Sequence, residues 1–256
     1  SPNNHFYLFD NASNAYRMFV DPSGSMIIGG GTSRSVGWQN LLQLEGTNTA
    51  PHSLSIVANR ANAFGNDINF AKSRGSTLGS NTIVQDNDEL GQIAFRGADG
   101  TDLNTIAAVI VGRVDGTPAS NDIPGSLEFY TGGYNKRLTI DSSGRVMIGT
   151  TTEGRVEADD LTIATSGSTG ITLRSNAGSA GNLFFSDGTS GNDELRGILQ
   201  YHHLDNRMSF STNATRRLTI DSVGRLLLHS DIASRNVGTK TGQLQVINTG
   251  NDATIL

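Results

Sequence analysis

Short stretches of alternating apolar and polar residues, separated by Gly- and Asp-rich breaks, run through this chain. The plainest is RLTIDSSGRVMIG at Arg137–Gly149, where Leu138 and Ile140 share one side of a pleat before the break and Val146 and Ile148 follow it. The break DSSG places Asp first and Gly fourth, as in a type I turn. The pattern predicts a β-hairpin whose turn glycine has a positive φ angle.

The hairpin pattern returns twice in the chain. RLTIDSVGRLLLH at Arg217–His229 is a close copy, and RMFVDPSGSMIIG at Arg17–Gly29 is a looser one. Gly24, Gly144 and Gly224 are therefore the turn glycines expected at positive φ. The copies start 120 and then 80 residues apart. A β-solenoid keeps a regular period of about 20 to 50 residues, so modules of unequal length are favoured over a monomeric solenoid.

Other phrases repeat around the hairpins. NDELGQIAF at Asn87–Phe95 corresponds to NDELRGILQY at Asn192–Tyr201, and the longer module carries an additional predicted strand at Ile106–Val114. A third phrase, expected to open successive modules, is found at Leu42–Leu44, Leu161–Ile163 and Leu244–Val246.

These repeats divide the chain into modules. Residues 1–35 form the end of a preceding module, 36–154 a long β module, 155–234 a short β module, and 235–256 the start of the next. We expect the polypeptide to extend beyond both ends.

The composition of the chain mainly argues against particular classes of function. The chain has 31 glycines, 17% charged residues and 6% aromatic residues, which is typical of short strands and frequent turns. Its net charge of −5 and lack of a Lys/Arg cluster argue against nucleic-acid binding. Without cysteine there is no disulfide, thiolate zinc site or cysteine nucleophile. No apolar run approaches the roughly 20 residues that span a bilayer, so no membrane insertion is predicted.

Two kinds of residue cluster suggest metal binding, and both have a simpler interpretation. His202 and His203 are adjacent on a predicted strand, so they face opposite sides and indicate an exposed strand end. His5, His52 and His229 stand alone, although a threefold axis could gather three copies of any one of them. The acidic clusters at Asp86–Glu89 and Asp99–Asp102 lack a calcium-loop spacing and favour turns. We predict no metal or cofactor site.

Candidate catalytic and ligand-binding residues are few. Glu128 is the best single acid for glycan cleavage and shares a face with Tyr130, but no partner acid can be named, and a polar residue on a solvated strand face is favoured. Trp38 is expected to serve packing rather than anchor a glycan, and Trp38–Leu44 allows a short helical turn. Gly29–Gly31 indicates a linker. No catalytic residue is predicted, and the ligand-binding residues are unknown.

Longer phrases resemble a known family, the tail fibres of marine phages, including cyanophages. The segments Ser55–Leu103, Val114–Thr131 and Arg137–Thr151 are similar to that family's long module in order, and Leu161–Tyr201 is similar to its short module. The resemblance implies a homotrimeric rod in the virion tail that contacts other tail or baseplate proteins. It also implies attachment to a host cell-surface receptor, either a glycan or a protein. Because no catalytic residue is predicted, we expect no enzyme activity.

A trimer also makes physical sense for such modules. Short strands leave unpaired edges, and three chains wound together could cover those edges and bury the apolar hairpin positions around a threefold axis. We therefore expect an all-β, modular trimeric fibre of β-hairpin or β-prism and sandwich-like repeats. The alternatives are a bacterial surface or extracellular fibre adhesin and a glycan-cleaving tailspike.

Overall fold

The computed structural model describes residues 6–29, 33–47 and 54–228. The chain divides into two compact units, residues 1–170 and 171–256. Both units are built from β-strands, as predicted, and the described residues contain one turn of 3-10 helix at Gly191–Leu195. None of the described helical structure is long and apolar enough to cross a membrane. The predictions for His5, His52, His229, Leu244–Val246 and the 235–256 module lie outside the described residues.

The first unit begins with a four-stranded sheet in the order β1-β2-β3-β6. Its pairs are antiparallel except for β3 and β6, which are parallel. The strands of this part of the chain are β1 (Phe6–Asp10), β2 (Ala15–Val20), β3 (Met26–Ile28), the short pair β4 (Ser35–Val36) and β5 (Trp38–Gln39), and β6 (Leu42–Leu44).

A six-stranded sheet completes the first unit in the order β12-β11-β10-β9-β8-β7. It is an antiparallel meander closed by one parallel pair, β11 with β12. The predicted strand at Ile106–Val114 is confirmed as part of β8. The strands are β7 (Glu89–Gly97), β8 (Thr105–Val114), β9 (Gly125–Thr131), β10 (Asn135–Ile140), β11 (Val146–Ile148) and β12 (Leu161–Ile163).

The second unit contains a five-stranded antiparallel meander in the order β13-β14-β15-β16-β17. This hairpin order differs from the coils of a solenoid. The strands are β13 (Ala180–Phe185), β14 (Gly197–His202), β15 (Arg207–Thr212), β16 (Thr215–Ile220) and β17 (Leu226–Leu228).

All three predicted hairpins are confirmed. Each is an antiparallel pair, and their turn glycines Gly24, Gly144 and Gly224 have φ angles of 88°, 84° and 85°. In each turn the glycine N–H donates to the carbonyl of the first-position aspartate at 2.9 to 3.0 Å. Glycine is required because a residue with a Cβ is strained at such φ angles.

The side chains of the turn aspartates also accept hydrogen bonds from the backbone of the turn. In the long module Asp141 Oδ1 accepts the backbone N–H groups of Ser143 and Arg145, both at 2.9 Å. The equivalent oxygens of Asp21 and Asp221 accept the same two N–H groups of their own turns. Asp recurs at this position because its short carboxylate reaches both donors at once.

A one-residue β-bulge recurs at the first arginine of every hairpin. The residues before and after each arginine pair with two consecutive residues of the neighbouring strand, so the arginine itself lies between two successive pairs of the register. The arginines are Arg17, Arg137 and Arg217, and at each of them the strand has one extra residue relative to its partner. The bulge shifts the side-chain alternation by one position. As a result Lys136 and Thr139, three residues apart, both point to the same face of the sheet, since they pair with Tyr130 and Glu128.

The strand formed by the third repeated sequence motif pairs with the hairpin that precedes it in the chain. Leu42–Leu44 lies parallel to Met26–Ile28, and Leu161–Ile163 lies parallel to Val146–Ile148 in the same register. These strands therefore close a sheet, whereas the sequence suggested that they open the next module. The boundaries at residues 35 and 154 stay predictions. The helical alternative at Trp38–Leu44 is wrong, because those residues contribute two strands.

The shared tetrapeptide NDEL adopts two different structures. In the long module Glu89 and Leu90 begin β7, whereas in the short module all four residues lie in the 3-10 turn. The preceding Asp88 is fixed by Arg74 and Lys72 from an upstream segment, while Asp193 binds the neighbouring Arg196 instead. The same four residues thus adopt different local structures in different tertiary surroundings, with different ion-pair partners for the aspartate.

Each of the three large sheets carries one row of large apolar side chains that crosses all of its strands, here called the apolar row. Directly paired residues point to the same face, so the row follows from the register. In the six-stranded sheet the row is Ile93, Ile110, Phe129, Leu138, Ile148 and Ile163. In the other two sheets it is Leu8, Met18, Ile28 and Leu44, and Leu183, Leu199, Phe210, Leu218 and Leu228.

The face that bears the apolar row is largely uncovered within one chain. Ile93 and Ile148 in the long module and Phe210 in the short one remain exposed. Leu138, Ile140, Val146 and Ile148 share this face, as predicted. The opposite face of the six-stranded sheet is the more enclosed one, and the small core of Val109, Val111 and Tyr130 lies there.

Candidate functional site

Glu128 lies at the centre of a charged cluster on the enclosed face of the six-stranded sheet. Its side chain belongs to β9, between Val111 of β8 and Thr139 of β10 in the paired register. The prediction of a solvated strand face is wrong, because Glu128 is only 3% exposed. The predicted shared face with Tyr130 is confirmed by a hydrogen bond of 2.5 Å from the phenol to the Glu128 carboxylate.

Two cations balance the buried carboxylate. Arg113 donates from Nε to Oε2 of Glu128 at 2.9 Å, and Lys136 contacts Oε1. Lys136 also lies 5.8 Å from the centre of the Tyr130 ring, within cation–π range. Sequence alternation alone missed this cluster, since the β-bulge is what brings Lys136 to the face of Glu128.

The electrostatics of Glu128 keep it ionised. Burial alone would raise the pKa of the Glu128 carboxyl, but hydrogen bonds from Lys136, Tyr130 and Arg113 outweigh burial and lower the pKa below its usual value. Burial and the neighbouring carboxylate together raise the pKa of the Tyr130 phenol. A general acid for glycan cleavage needs a raised carboxyl pKa, so the environment of Glu128 opposes that role.

A cavity of about 290 Å³ opens beside this cluster. It is lined by side chains of the enclosed face and of the hairpin turn, including Glu128, Lys136 and Arg145. Thr139 also lines it, is 6% exposed, and its buried Oγ1 has no hydrogen-bond partner. A buried hydroxyl without a partner is uncommon in folded proteins, which makes this position a candidate for contact with a ligand.

A wider groove of about 650 Å³ lies between residues 71–84 and 119–123. Six of its thirteen lining residues are Ser, Thr or Asn, and the exposed Ile83 and Ile123 also line it. Lys72 also lines it but is paired with Asp88 at 3.1 Å.

Both acidic clusters form turns, as predicted, and Asp88 of the first cluster also forms ion pairs that the sequence did not predict. Asp99 Oδ1 accepts the N–H groups of Thr101 and Asp102 at 2.8 and 3.1 Å. In the other cluster Asp88 receives two hydrogen bonds from Arg74, at 2.7 and 2.8 Å. Among residues 6–29, 33–47 and 54–228, no three His, Asp or Glu side chains form a group that could hold a metal ion.

The two adjacent histidines occupy a strand end but are half-buried instead of exposed. His202 Nδ1 lies 2.8 Å from Asp205, and the ring of His203 meets the Tyr201 ring edge-on at 5.1 Å. Each ring therefore has its own neighbour.

The interpretation of Trp38 as a packing residue is wrong for the described chain. Its side chain is 79% exposed on the short β4–β5 pair. Sequence offered no signal for this, because a single Trp is compatible with either environment.

Comparisons with known proteins give weak likenesses. No family model and no curated protein matches the chain. It is similar to the carboxy-terminal domain of the bacteriophage T5 L-shaped tail fiber with its intra-molecular chaperone domain, at 13% identity and a TM-score of 0.38, over 79% of this chain and 69% of that chain. A second structure of that carboxy-terminal domain gives 13% identity and a TM-score of 0.33, over 78% and 100%. Because these scores do not establish a shared fold, we base the functional proposal on the chain's own sheets.

Proposed function

We propose that this chain is a segment of a homotrimeric phage tail fibre, which spaces the fibre and attaches the virion to its host. The observation that carries the proposal is the uncovered apolar row in each of the three large sheets. Monomeric soluble proteins rarely expose contiguous apolar patches larger than a few hundred Å². We therefore expect a partner to cover each row. The same apolar row on a further copy of the chain is a surface that can do so.

Three copies suit these sheets better than one. With three chains, the sheets of one module can turn their apolar rows toward a common axis and form the sides of a prism. The opposite faces, which include the Glu128 cluster, then remain on the outside. The modules repeat along the chain, so the same arrangement can recur along a rod. The sequence resemblance to marine phage tail fibres supports this arrangement over a two-chain sandwich.

The proposed role is binding and spacing, without catalysis. The ionised state of Glu128 supports this view, because a glycan-cleaving site needs one protonated carboxyl group beside the bond. The proposed partners are other tail or baseplate proteins and a cell-surface receptor of the host.

Two measurements test the proposal. Sedimentation equilibrium at micromolar concentration should give three times the chain mass of 27.1 kDa, and a monomer or dimer would overturn the trimer. Cryo-EM of the native particle should then show this chain in a threefold tail appendage. A threefold filament on a bacterial surface, with no virion attached, would instead assign the chain to the adhesins.

A further inference from the structure

We propose that the cavity beside Glu128 binds one ring of a neutral sugar on the host surface. The inference rests on the proposed function and goes beyond it by naming the ligand class and the residues that would hold it. The cavity lies on the face opposite the apolar row, so a trimer that buries the row leaves this face open to a ligand.

The charges that line the cavity favour a neutral ligand. Glu128 is paired with Arg113 and Lys136, and Arg145 is paired with Asp141 at 2.7 Å. A charged ligand would lose its water without gaining a free opposite charge, which is unfavourable. A polyhydroxyl ligand needs only hydrogen bonds, and paired carboxylates and cations keep further acceptor and donor capacity for them.

The other lining groups fit the same ligand. Asp115 accepts the N–H of Ser142 through Oδ2 at 2.8 Å, and Glu153 lies at the exposed rim 3.6 Å from Arg145. The orphaned Thr139 Oγ1 is a neutral group that can both donate to and accept from a sugar hydroxyl.

Cavity size limits the ligand to one ring. Its volume of about 290 Å³ lies just below the range of about 300 to 1,000 Å³ for small-molecule sites. An oligosaccharide would therefore place one residue in the cavity and continue out of it.

The short module provides a matched comparison. The positions of Glu128 and Thr139 correspond to Ser209 and Thr219, which are also directly paired and buried. Without a carboxylate at position 209, the charged cluster of the long module has no counterpart there. We therefore expect sugar binding in the long module and not at Thr219.

The test is saturation-transfer NMR on the full chain with a panel of methyl glycosides. The neutral probes are the glycosides of glucose, galactose, mannose and N-acetylglucosamine, and the charged comparators are glucuronic acid and glucosamine. At least one neutral glycoside should bind, and Thr139→Val should weaken it at least tenfold without lowering the melting temperature. Thr219→Val, the matched control, should bind as the wild type does. Glu153→Gln, at the exposed rim, should weaken binding several-fold.

Four outcomes would overturn the proposed site. They are no binding by any neutral glycoside, binding of the charged comparators alone, unchanged binding by both Thr139→Val and Glu153→Gln, or equal loss with Thr219→Val. Sedimentation of the same samples separates this inference from the proposed function. A trimer that binds no glycoside refutes the sugar site alone, whereas a monomer refutes the trimeric fibre.

Discussion

Replacing Ile148 tests whether the apolar row is an interface between chains. Ile148 lies in the row on β11, next to the edge strand β12, and is 38% exposed in one chain. Full burial of an isoleucine side chain is worth about 1.5 to 3 kcal/mol, so burying the exposed remainder contributes about 0.6 to 1.1 kcal/mol per chain. Three chains together give about 2 to 3 kcal/mol. Ile148→Ala should therefore weaken trimer association by roughly 30- to 150-fold.

Ile148→Asp should have a larger effect, because it places three carboxylates in an apolar interface where they have no cationic partner. Sedimentation equilibrium over a dilution series should show a wild-type trimer, a partly dissociated Ala variant and a monomeric Asp variant. Ser120→Asp, which adds the same charge to an exposed loop, is the control and should remain trimeric. An Asp variant that stays trimeric would refute the threefold interface through this row.

Three further predictions concern stability. Gly144→Ala should lower the melting temperature, because a φ of +84° costs a residue with a Cβ about 1 to 2 kcal/mol. Gly167→Ala is the control and should not lower it, because the added Cβ meets open space. Equal melting temperatures of the two variants in calorimetry would contradict this. Glu128→Gln should lower the free energy of unfolding in urea by about 2 kcal/mol. This is less than for a fully buried ion pair, because the two cationic partners of Glu128 are partly exposed. An unchanged urea midpoint would count against a stabilising role of the cluster. Asp21 and Asp99 have pKa values lowered from 3.8 to about 2, foremost by a neighbouring hydroxyl, so the folded chain binds fewer protons than the unfolded one. Stability should be fully present above about pH 4 and fall as the pH drops toward 2, and a flat melting temperature over that window would be inconsistent with these shifts.

The hairpins could be predicted from sequence because their information is local. An Asp and a Gly three residues apart between alternating segments specify the turn, and Gly144 and its two equivalents have the expected φ angles. The apolar face could be predicted for the same reason, since the pleat places Leu138 and Ile140 on one side. What alternation does not specify is which face is more enclosed within one chain.

The Glu128 cluster could not be predicted because it depends on contacts between separate strands. Arg113 and Lys136 come from the two neighbouring strands, and the bulge at Arg137 brings Lys136 to the correct face. A signal for the bulge was present, because an arginine stands at this place in all three hairpins, Arg17 and Arg217 included. That the arginine marks the bulge is seen only from the register of the paired strands.

The parallel closing strand has a consequence for how such chains can be recombined. Leu161–Ile163 supplies the last backbone ladder of the long module's sheet, although it follows the hairpin turn by many residues. A chimaera joined directly after the hairpin, near residue 154, would leave the outer edge of β11 without its hydrogen-bonding strand. A junction placed after Ile163 transfers the module with its edge already closed. Exchange between related chains, in the laboratory or in evolution, should therefore be tolerated better at the second junction than at the first.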